Sequence, residues 1–441
     1  MKKIFYVGFV SMAFCISFLV TSAQKAPDTV INSASLQTIV QYALKHYPQV
    51  QQALLDEQIT DRQIRSKLAD WLPQLNLNAT YQNNFQLQSI YFNGNYSRSG
   101  VYNQSQVGLG LTQSIFNRDV LLASRTRNDA LKLSRQTTAT DKIDIAVNVS
   151  KAFYDVLLTQ KQIEVLDEDI RRLERNLKDT YNQYQGGIVD KVDYKRATIS
   201  LNNSKAQRKT NQEALKGKYA VLMQYMGYQG KDSIHLEYDS TQMAGEVIVD
   251  TTLALDYNKR IEYQALLTRK KLQITNLQYE KWSYLPTLSA DAAYNLNYLN
   301  NRFSKLYTNN LPNSFAGLSL SFPIFQGTKR IQNIRIAELQ VTRMDWDIVE
   351  LQNAITSEYT QALAAYKGYL NDYYILKDNL ELARDVFNTI ELQYRSGIKT
   401  YLELITAETD LLNAQTNYSN ALYQVLSSKL DVQKALGTLQ Y

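Results

Sequence analysis

Cysteine and histidine are nearly missing from this sequence: its 441 residues contain one cysteine, Cys15, and two histidines, His46 and His235. Metal sites and thiol chemistry need clusters of such side chains, so the composition argues against both. No phosphate-binding or dinucleotide-binding glycine motif is present. We therefore expect neither an enzyme nor a bound cofactor or metal.

Glycine and proline are also scarce, and neither sign of charge is in large excess. Only 16 glycines and 6 prolines occur, which argues against a many-stranded sandwich, because its turns need these residues. The formal net charge of +6 is spread along the chain, without the basic patch of a nucleic-acid-binding protein. Long helices are expected, and nucleic acid is not an expected partner.

A long apolar run occurs once, at the N-terminus. Lys2 and Lys3 precede an apolar stretch over 4–20, which is followed by the small residues of Thr-Ser-Ala23. This pattern is typical of a secretory signal peptide, so we predict cleavage after Ala23; an uncleaved anchor is the alternative. No later run approaches the length of a membrane helix. Any membrane-crossing part of the mature chain must therefore consist of strands.

The mature chain contains an internal duplication, in which each repeat has about 210 residues. Four short motifs recur in the same order in both halves. They are Leu-Pro after an aromatic residue (71–73 and 284–286), a Leu-x-x-x-Ile-Phe segment (111–116 and 320–325), a Tyr-x-x-Gly-Ile segment (184–188 and 394–398), and glycine after Met226 and Leu436. This order predicts one fold unit, duplicated.

Each half contains one very long helical pattern. The stretch 117–185 has no glycine or proline, and 328–396 is interrupted only by Gly368. From Ile355 to Tyr394 apolar residues recur at alternating spacings of four and three, and the same seam occurs about 210 residues earlier. A seven-residue repeat predicts helices that supercoil against a neighbour.

A return helix follows each long helix. The two return segments run over 188–226 and 398–436, and only a few residues separate each from the preceding helix. Such short connections predict antiparallel helical hairpins. Shorter helices are predicted near 33–71 and 251–283.

Four short segments change to a period of two: 75–86, 106–112, 288–298 and 316–324 alternate apolar residues with Asn, Gln, Ser, Thr and Gly. Strands with one apolar and one polar face are typical of transmembrane barrels; a sheet in a soluble domain is the alternative. The loops 88–103 and 300–313 would face outside, and Tyr81, Tyr294 and Tyr298 would lie at the membrane interface.

Four strands are too few to close a barrel, because the smallest stable barrels have about eight. Copies of the chain must therefore associate. Two copies would form a barrel that its own side chains fill, whereas three copies would form a 12-stranded barrel that can leave a passage. A homotrimer is the better prediction.

Taken together, the signal peptide, the duplication and the paired motifs resemble the TolC-type outer-membrane efflux protein family over about 33–437. The resemblance implies a mainly α fold with a small transmembrane β part, in which long coiled-coil-like hairpins form an α-barrel below a trimeric 12-stranded β-barrel. It also implies contact with outer-membrane lipid, docking of the helical tips onto a periplasmic membrane-fusion adaptor, and an inner-membrane pump of RND, ABC or MFS type.

On this basis we expect nine segments along the chain. They are a signal peptide (1–23), an N-terminal segment with the first helix (24–74), a first β-hairpin (75–116), a first long helical hairpin (117–226), an equatorial mixed region (227–250), a short helix (251–286), a second β-hairpin (287–326), a second long helical hairpin (327–437) and a tail (438–441).

The resemblance further implies a periplasmic gate formed by Asp193, Tyr394, Lys399 and Glu403. The family's second acidic position, one turn after Glu403, is Thr406 here, so one acidic ring is expected instead of two. From the residues alone, ordinary solvated helix charges are the alternative.

The residues expected to dock the adaptor lie at the hairpin tips, where apolar side chains are exposed. They are Tyr184, Gly187, Ile188, Gly397 and Ile398. The alternative for the glycines and isoleucines is a turn glycine with a capping hydrophobic residue.

The sequence thus predicts a passive outer-membrane exit duct of a tripartite efflux system, extending into the periplasm. Two alternatives stay open. One is the outer-membrane component of type I protein secretion, and the other is a periplasmic helical scaffold that conducts nothing.

Overall fold

The computed structural model describes residues 34–228 and 253–439, together with 234, 236, 245, 247, 248 and 250. The predicted signal peptide, 1–23, and most of the predicted equatorial region, 227–250, lie outside the described residues.

The fold is mainly helical with a small β part, as predicted, and the two halves repeat the same order of elements. The first half contains α1 (Leu36–His46), α2 (Pro48–Leu68), β1 (Gln74–Asn83), β2 (Gln88–Phe92), β3 (Asn95–Ser99), β4 (Asn103–Phe116), α3 (Arg118–Gln185) and α4 (Lys191–Met226). The second half contains α5 (Ile261–Lys281), β5 (Thr287–Asn300), β6 (Leu311–Ser321), α6 (Lys329–Arg395) and α7 (Tyr401–Leu436).

The long helices α3 and α6 run through two layers of helix packing. Near the sheet, α3 packs between α2 and α5, and α5 packs on α6. Farther from the sheet, α3 packs between α4 and α7, and α7 packs on α6. With 68 residues, α3 is about 100 Å long at 1.5 Å per residue, so the hairpin tips lie far from the strands.

Two glycine joints stack the shorter helices end to end. Gly227 ends α4 with φ of 66°, and a Cβ there would lie 2.6 Å from the carbonyl oxygen of His46. Gly437 ends α7 with φ of 67°, and a Cβ there would lie 2.6 Å from the carbonyl oxygen of Lys259. Each joint requires glycine for its left-handed backbone and for this close approach, which explains the glycine repeated after Met226 and Leu436.

The predicted apolar seams form the core between the helices. In α6, Ile355, Tyr366, Tyr373 and Phe387 are buried, and the seam residues between them are partly buried. The largest cluster joins α1, α3, α4, α6 and α7 where the two layers meet. In the described parts of the chain, no helix combines the length and the apolar character needed to cross a membrane.

The four main strands form one antiparallel sheet in the order β1-β4-β5-β6, so β4 and β5 join the two halves. Directly paired residues share a face of a sheet. Leu77 pairs with Leu109, which pairs with Tyr294, whereas Asn78 pairs with Gly108 on the other face. The register therefore gathers most of the apolar residues of the four strands on one face, whereas Ala293 and its partner Phe315 lie on the other.

Three details differ from the predictions. The predicted loop 88–103 contains a separate hairpin, β2–β3, whose Asn93-Gly94 turn has positive φ at both residues; that dipeptide is a hairpin signal in the sequence. The helix expected near 33–71 is two helices, because Pro48 starts a new one. The strand predicted over 316–324 instead spans Leu311–Ser321.

Candidate functional site

The two hairpin tips have the same backbone turn. In the first tip, Gly187 donates its N–H to the carbonyl of Tyr184 at 3.0 Å, and Ile188 donates to Gln183 at 2.8 Å. In the second tip, Gly397 and Ile398 repeat both bonds. These paired bonds define a Schellman motif. Because φ is 73° at Gly187 and 76° at Gly397, each tip requires glycine at this position.

The isoleucine after each glycine leaves most of its side chain exposed. A hydrophobic residue at this position usually contacts the last turn of the helix. Here Ile188 is 76% exposed and Ile398 is 72% exposed. The tips therefore present two apolar side chains to the surroundings.

Tyrosine side chains connect the two helices of each hairpin near its tip. Tyr184 of α3 contacts Tyr194 of α4, with ring centroids 5.4 Å apart. In the second tip, Tyr394 of α6 contacts Tyr401 of α7 at 6.1 Å. Tyr394 also donates its hydroxyl to Oε1 of Gln183 at 3.2 Å, which connects the second hairpin with the end of α3. Of the four predicted gate residues, Tyr394 thus joins the two hairpins within one chain.

Lys399 and Glu403 pair with each other at the start of α7. The Lys399 ammonium lies 2.5 Å from Oε1 of Glu403. Oε2 of Glu403 accepts the backbone N–H of Thr400 at 2.9 Å, and the Thr400 hydroxyl caps Glu403 in return, forming a capping box. These bonds lower the pKa of Glu403 to about 2, so its carboxylate stays ionised at neutral and mildly acidic pH.

Asp193 lies in the first turn of α4, near the second hairpin. Its charge contributes to raising the pKa of the Tyr401 hydroxyl, an effect that burial dominates. Among the described residues, Asp193 forms no ion pair with Lys399. The predicted gate residues therefore lie around one end of the molecule, but within one chain they do not form a single network.

A buried ionic cluster farther up the hairpins has no counterpart in the sequence-based prediction. Arg172 of α3 contacts Asp169 on the same helix and Glu408 of α7, both at 3.3 Å. Ser204 of α4 donates to Asp169 at 2.7 Å, and Asn176 donates to Glu408 at 3.1 Å. This cluster joins the first hairpin to the second.

The cluster holds two carboxylates and one cation. Asp169 is 1% exposed and Glu408 is 2% exposed, so ionising both leaves an uncompensated buried charge. Burial, followed by repulsion from Asp169, raises the pKa of Glu408 to about 7. Burial also raises the pKa of Asp169. The cluster therefore favours holding one proton.

A weak sign of this cluster exists in the sequence. Asp169 and Glu408 each lie directly beside an apolar seam position, where a charge without a partner would be costly. Their partnership could not be found, because Arg172 and Glu408 are 236 residues apart.

Family membership is shown by a match to a known protein family. The model of the family "Outer membrane efflux protein" matches residues 39–228 and 275–438, which is most of the chain. The chain belongs to the outer membrane efflux protein family. The predicted family and outer-membrane location are thereby confirmed, and the two matched ranges fall in the two halves of the duplication.

Similar proteins of the outer membrane efflux family cover nearly the whole chain. Outer membrane protein TolC of Escherichia coli is 22% identical over 93% of this chain and 84% of its own length. The probable efflux pump outer membrane protein TtgC of Pseudomonas putida is 20% identical over 95% and 86%. The solved structure of the outer membrane protein VceC from Vibrio cholerae superposes with a TM-score of 0.71 at 14% identity, covering 91% of this chain and 96% of that one. This structural likeness shows the fold.

Proposed function

We propose that this outer membrane efflux protein is a passive, homotrimeric exit duct in a tripartite efflux system. Three copies of the four-stranded sheet close a 12-stranded barrel, and the helices continue it as a tunnel through the periplasm. The observation that supports this most strongly is the register of the sheet, which separates a mainly apolar face from a face that consists mainly of Asn, Gln, Ser, Thr and Gly. The first face suits lipid and the second a wet lumen.

The open edges of one chain support association of several copies. β1 and β6 pair on one side only, and unpaired strand edges inside a membrane are not tolerated. On α6, Leu339 and Trp346 are exposed and lie seven residues apart, so a coiled-coil neighbour would cover both. Neighbouring copies of the same chain would meet both requirements.

We further propose that the tips dock a periplasmic adaptor, which connects the duct with an inner-membrane pump. Support comes from the exposed Ile188 and Ile398 on rigid turns, since rigid apolar anchors are favoured at interfaces. The name of the TtgC relative describes an efflux pump outer membrane protein, which agrees with this role.

The gate proposal follows from the weakness of the polar contacts at the tips. Exposed ion pairs contribute about 0–1 kcal/mol each, so three symmetric copies sum to a few kcal/mol. That suffices to hold a two-state gate closed and still lets a docking partner open it. Asp193, Tyr394, Lys399 and Glu403 are the residues that we assign to this gate.

The test is single-channel conductance of the purified protein in planar lipid bilayers. We expect a conducting trimer, with conductance raised in the double variant Asp193→Asn, Lys399→Gln. A matched control is Lys209→Gln, Glu213→Gln, which removes an exposed pair on α4. A soluble monomer without channels would favour the helical scaffold, whereas channels unchanged by the first variant would overturn the gate assignment alone.

A further inference from the structure

The four strands of the main sheet contain a single charged side chain, Asp291 of β5. All four strands lie within the described ranges, and none contains a lysine or an arginine. Asp291 is the fifth residue of β5, which begins at Thr287. It therefore lies towards the end of the strand that adjoins the helices.

The register shows which face carries Asp291. It pairs with Thr112 of β4 and with Gly317 of β6. Its neighbours in sequence, Ala290 and Ala292, point to the opposite face, where Ala292 pairs with Leu111. Ser289, on the same face as Asp291, donates its hydroxyl to the carboxylate at 3.0 Å. Asp291 thus belongs to the polar face.

The strands of neighbouring copies cannot neutralise this carboxylate, because no strand of the main sheet contains a lysine or an arginine. The tip carboxylate of Glu403 differs, since Lys399 lies 2.5 Å from it and the pair carries no net charge. Asp291 is therefore the better source of an uncompensated negative field along the proposed passage.

We propose that Asp291 determines a preference for cations inside the barrel, as a ring of three carboxylates on the wet face. This inference rests on the proposed trimeric duct. A ring about one Debye length from the axis, about 10 Å at 0.1 M salt, raises the cation concentration and lowers the anion concentration. Together these effects change the cation-to-anion permeability ratio by about fourfold. At 1 M salt the Debye length is about 3 Å, and the preference largely disappears.

The experiment measures the reversal potential of single channels in planar bilayers under a potassium chloride gradient around 0.1 M. Wild type should prefer cations, and the isosteric variant Asp291→Asn should lower the permeability ratio about fourfold. Repeating the measurement around 1 M should remove most of the difference.

A charge moved along the same face provides the matched control. Asn295 lies on the polar face of β5, paired with Gly108. In the Asp291→Asn background, Asn295→Asp should restore the cation preference. Introduced alone, Asn295→Asp adds a second ring of carboxylates and should increase the cation preference. This single variant tests the proposal independently if Asp291→Asn does not insert into the bilayer.

The outcomes separate the two proposals. Absence of channels in wild type would overturn the proposed duct. Channels with the same reversal potential in wild type, Asp291→Asn and Asn295→Asp would overturn the role of Asp291 and leave the duct intact.

Discussion

In the layer farther from the sheet, the central helices α3 and α7 differ from the flanking helices α4 and α6 in how much of their surface the chain itself covers. α4 and α7 both have 36 residues. α7 buries side chains along its whole length, whereas α4 buries Ala197, Leu201, Ser204, Leu222 and Met226. Two return helices of equal length thus differ in how far the rest of the chain covers them.

This difference separates two kinds of contact. The central helices hold the contacts that one chain makes with itself, including the buried Asp169–Arg172–Glu408 cluster. The flanking helices carry exposed apolar side chains such as Ile199 and Leu339, which the proposed trimer would cover. The central contacts should therefore determine the stability of the chain, and the flanking contacts its assembly.

The largest expected effect tests the central cluster. Arg172→Met leaves two buried carboxylates without a cation, and breaking a buried pair in this way costs about 3–5 kcal/mol. We expect a clear fall in the thermal unfolding midpoint in detergent at pH 8. Adding Glu408→Met should recover part of the loss, because it removes one of the two unpaired carboxylates and leaves Asp169 with Ser204 as its partner.

The control for Arg172 is an exposed ion pair between α3 and α4. Lys205 of α4 pairs with Glu174 of α3 at 2.8 Å, and both side chains are about half exposed. Lys205→Met should cost about 0–1 kcal/mol. Equal effects of Arg172→Met and Lys205→Met would contradict the difference between centre and flank.

The second prediction concerns pH. The pKa of Glu408 is about 7 in the folded chain, against 4.5 for an ordinary glutamate. A raised pKa means that its favourable contribution is complete below about pH 4.5 and is lost as pH rises through about 7. At 1.36 kcal/mol per unit, the free energy of unfolding should fall by about 3 kcal/mol across this window.

Unfolding midpoints of wild type and Glu408→Gln, compared between pH 5 and pH 8, check the pH prediction. The variant stays neutral, so it should be less sensitive to pH and more stable than wild type at pH 8. The pKa of Glu403 is already about 2, so this carboxylate does not titrate in the window. Parallel pH curves for both proteins would contradict the assignment to Glu408.

The smallest expected effect concerns the N-caps of a central helix, α7, and a flanking helix, α4. Thr400 and Glu403 form a reciprocal capping box on α7, whereas Asp190 caps α4 with one side-chain bond, to Val192. Loss of an N-cap costs about 1 kcal/mol. Thr400→Ala should accelerate amide hydrogen exchange in the first turn of α7 more than Asp190→Ala does in α4. The opposite order would mean that the capping box adds nothing at this tip.

Much of the fold could be predicted because it depends on short-range patterns. The Tyr-x-x-Gly-Ile segments predicted the tips, since a left-handed residue at the end of a helix favours glycine. The Asn93-Gly94 dipeptide is also a hairpin signal, but the prediction of a plain loop over 88–103 does not use it. The predicted gate was only partly assembled within one chain: Tyr394 reaches the first hairpin, while Lys399 pairs with its own helix.

The sequence by itself determined the duplication, the heptad seams, the two-faced strands and the tip turns, because each follows from periodicity or from the backbone preference of single residues. Only the tertiary structure decided which partners meet across long separations. It brought Arg172 to Glu408, stacked Gly227 on the carbonyl of His46 and placed Asp291 among the polar residues of three strands. These contacts depend on how helices and strands distant in sequence pack together, and no local pattern encodes that arrangement.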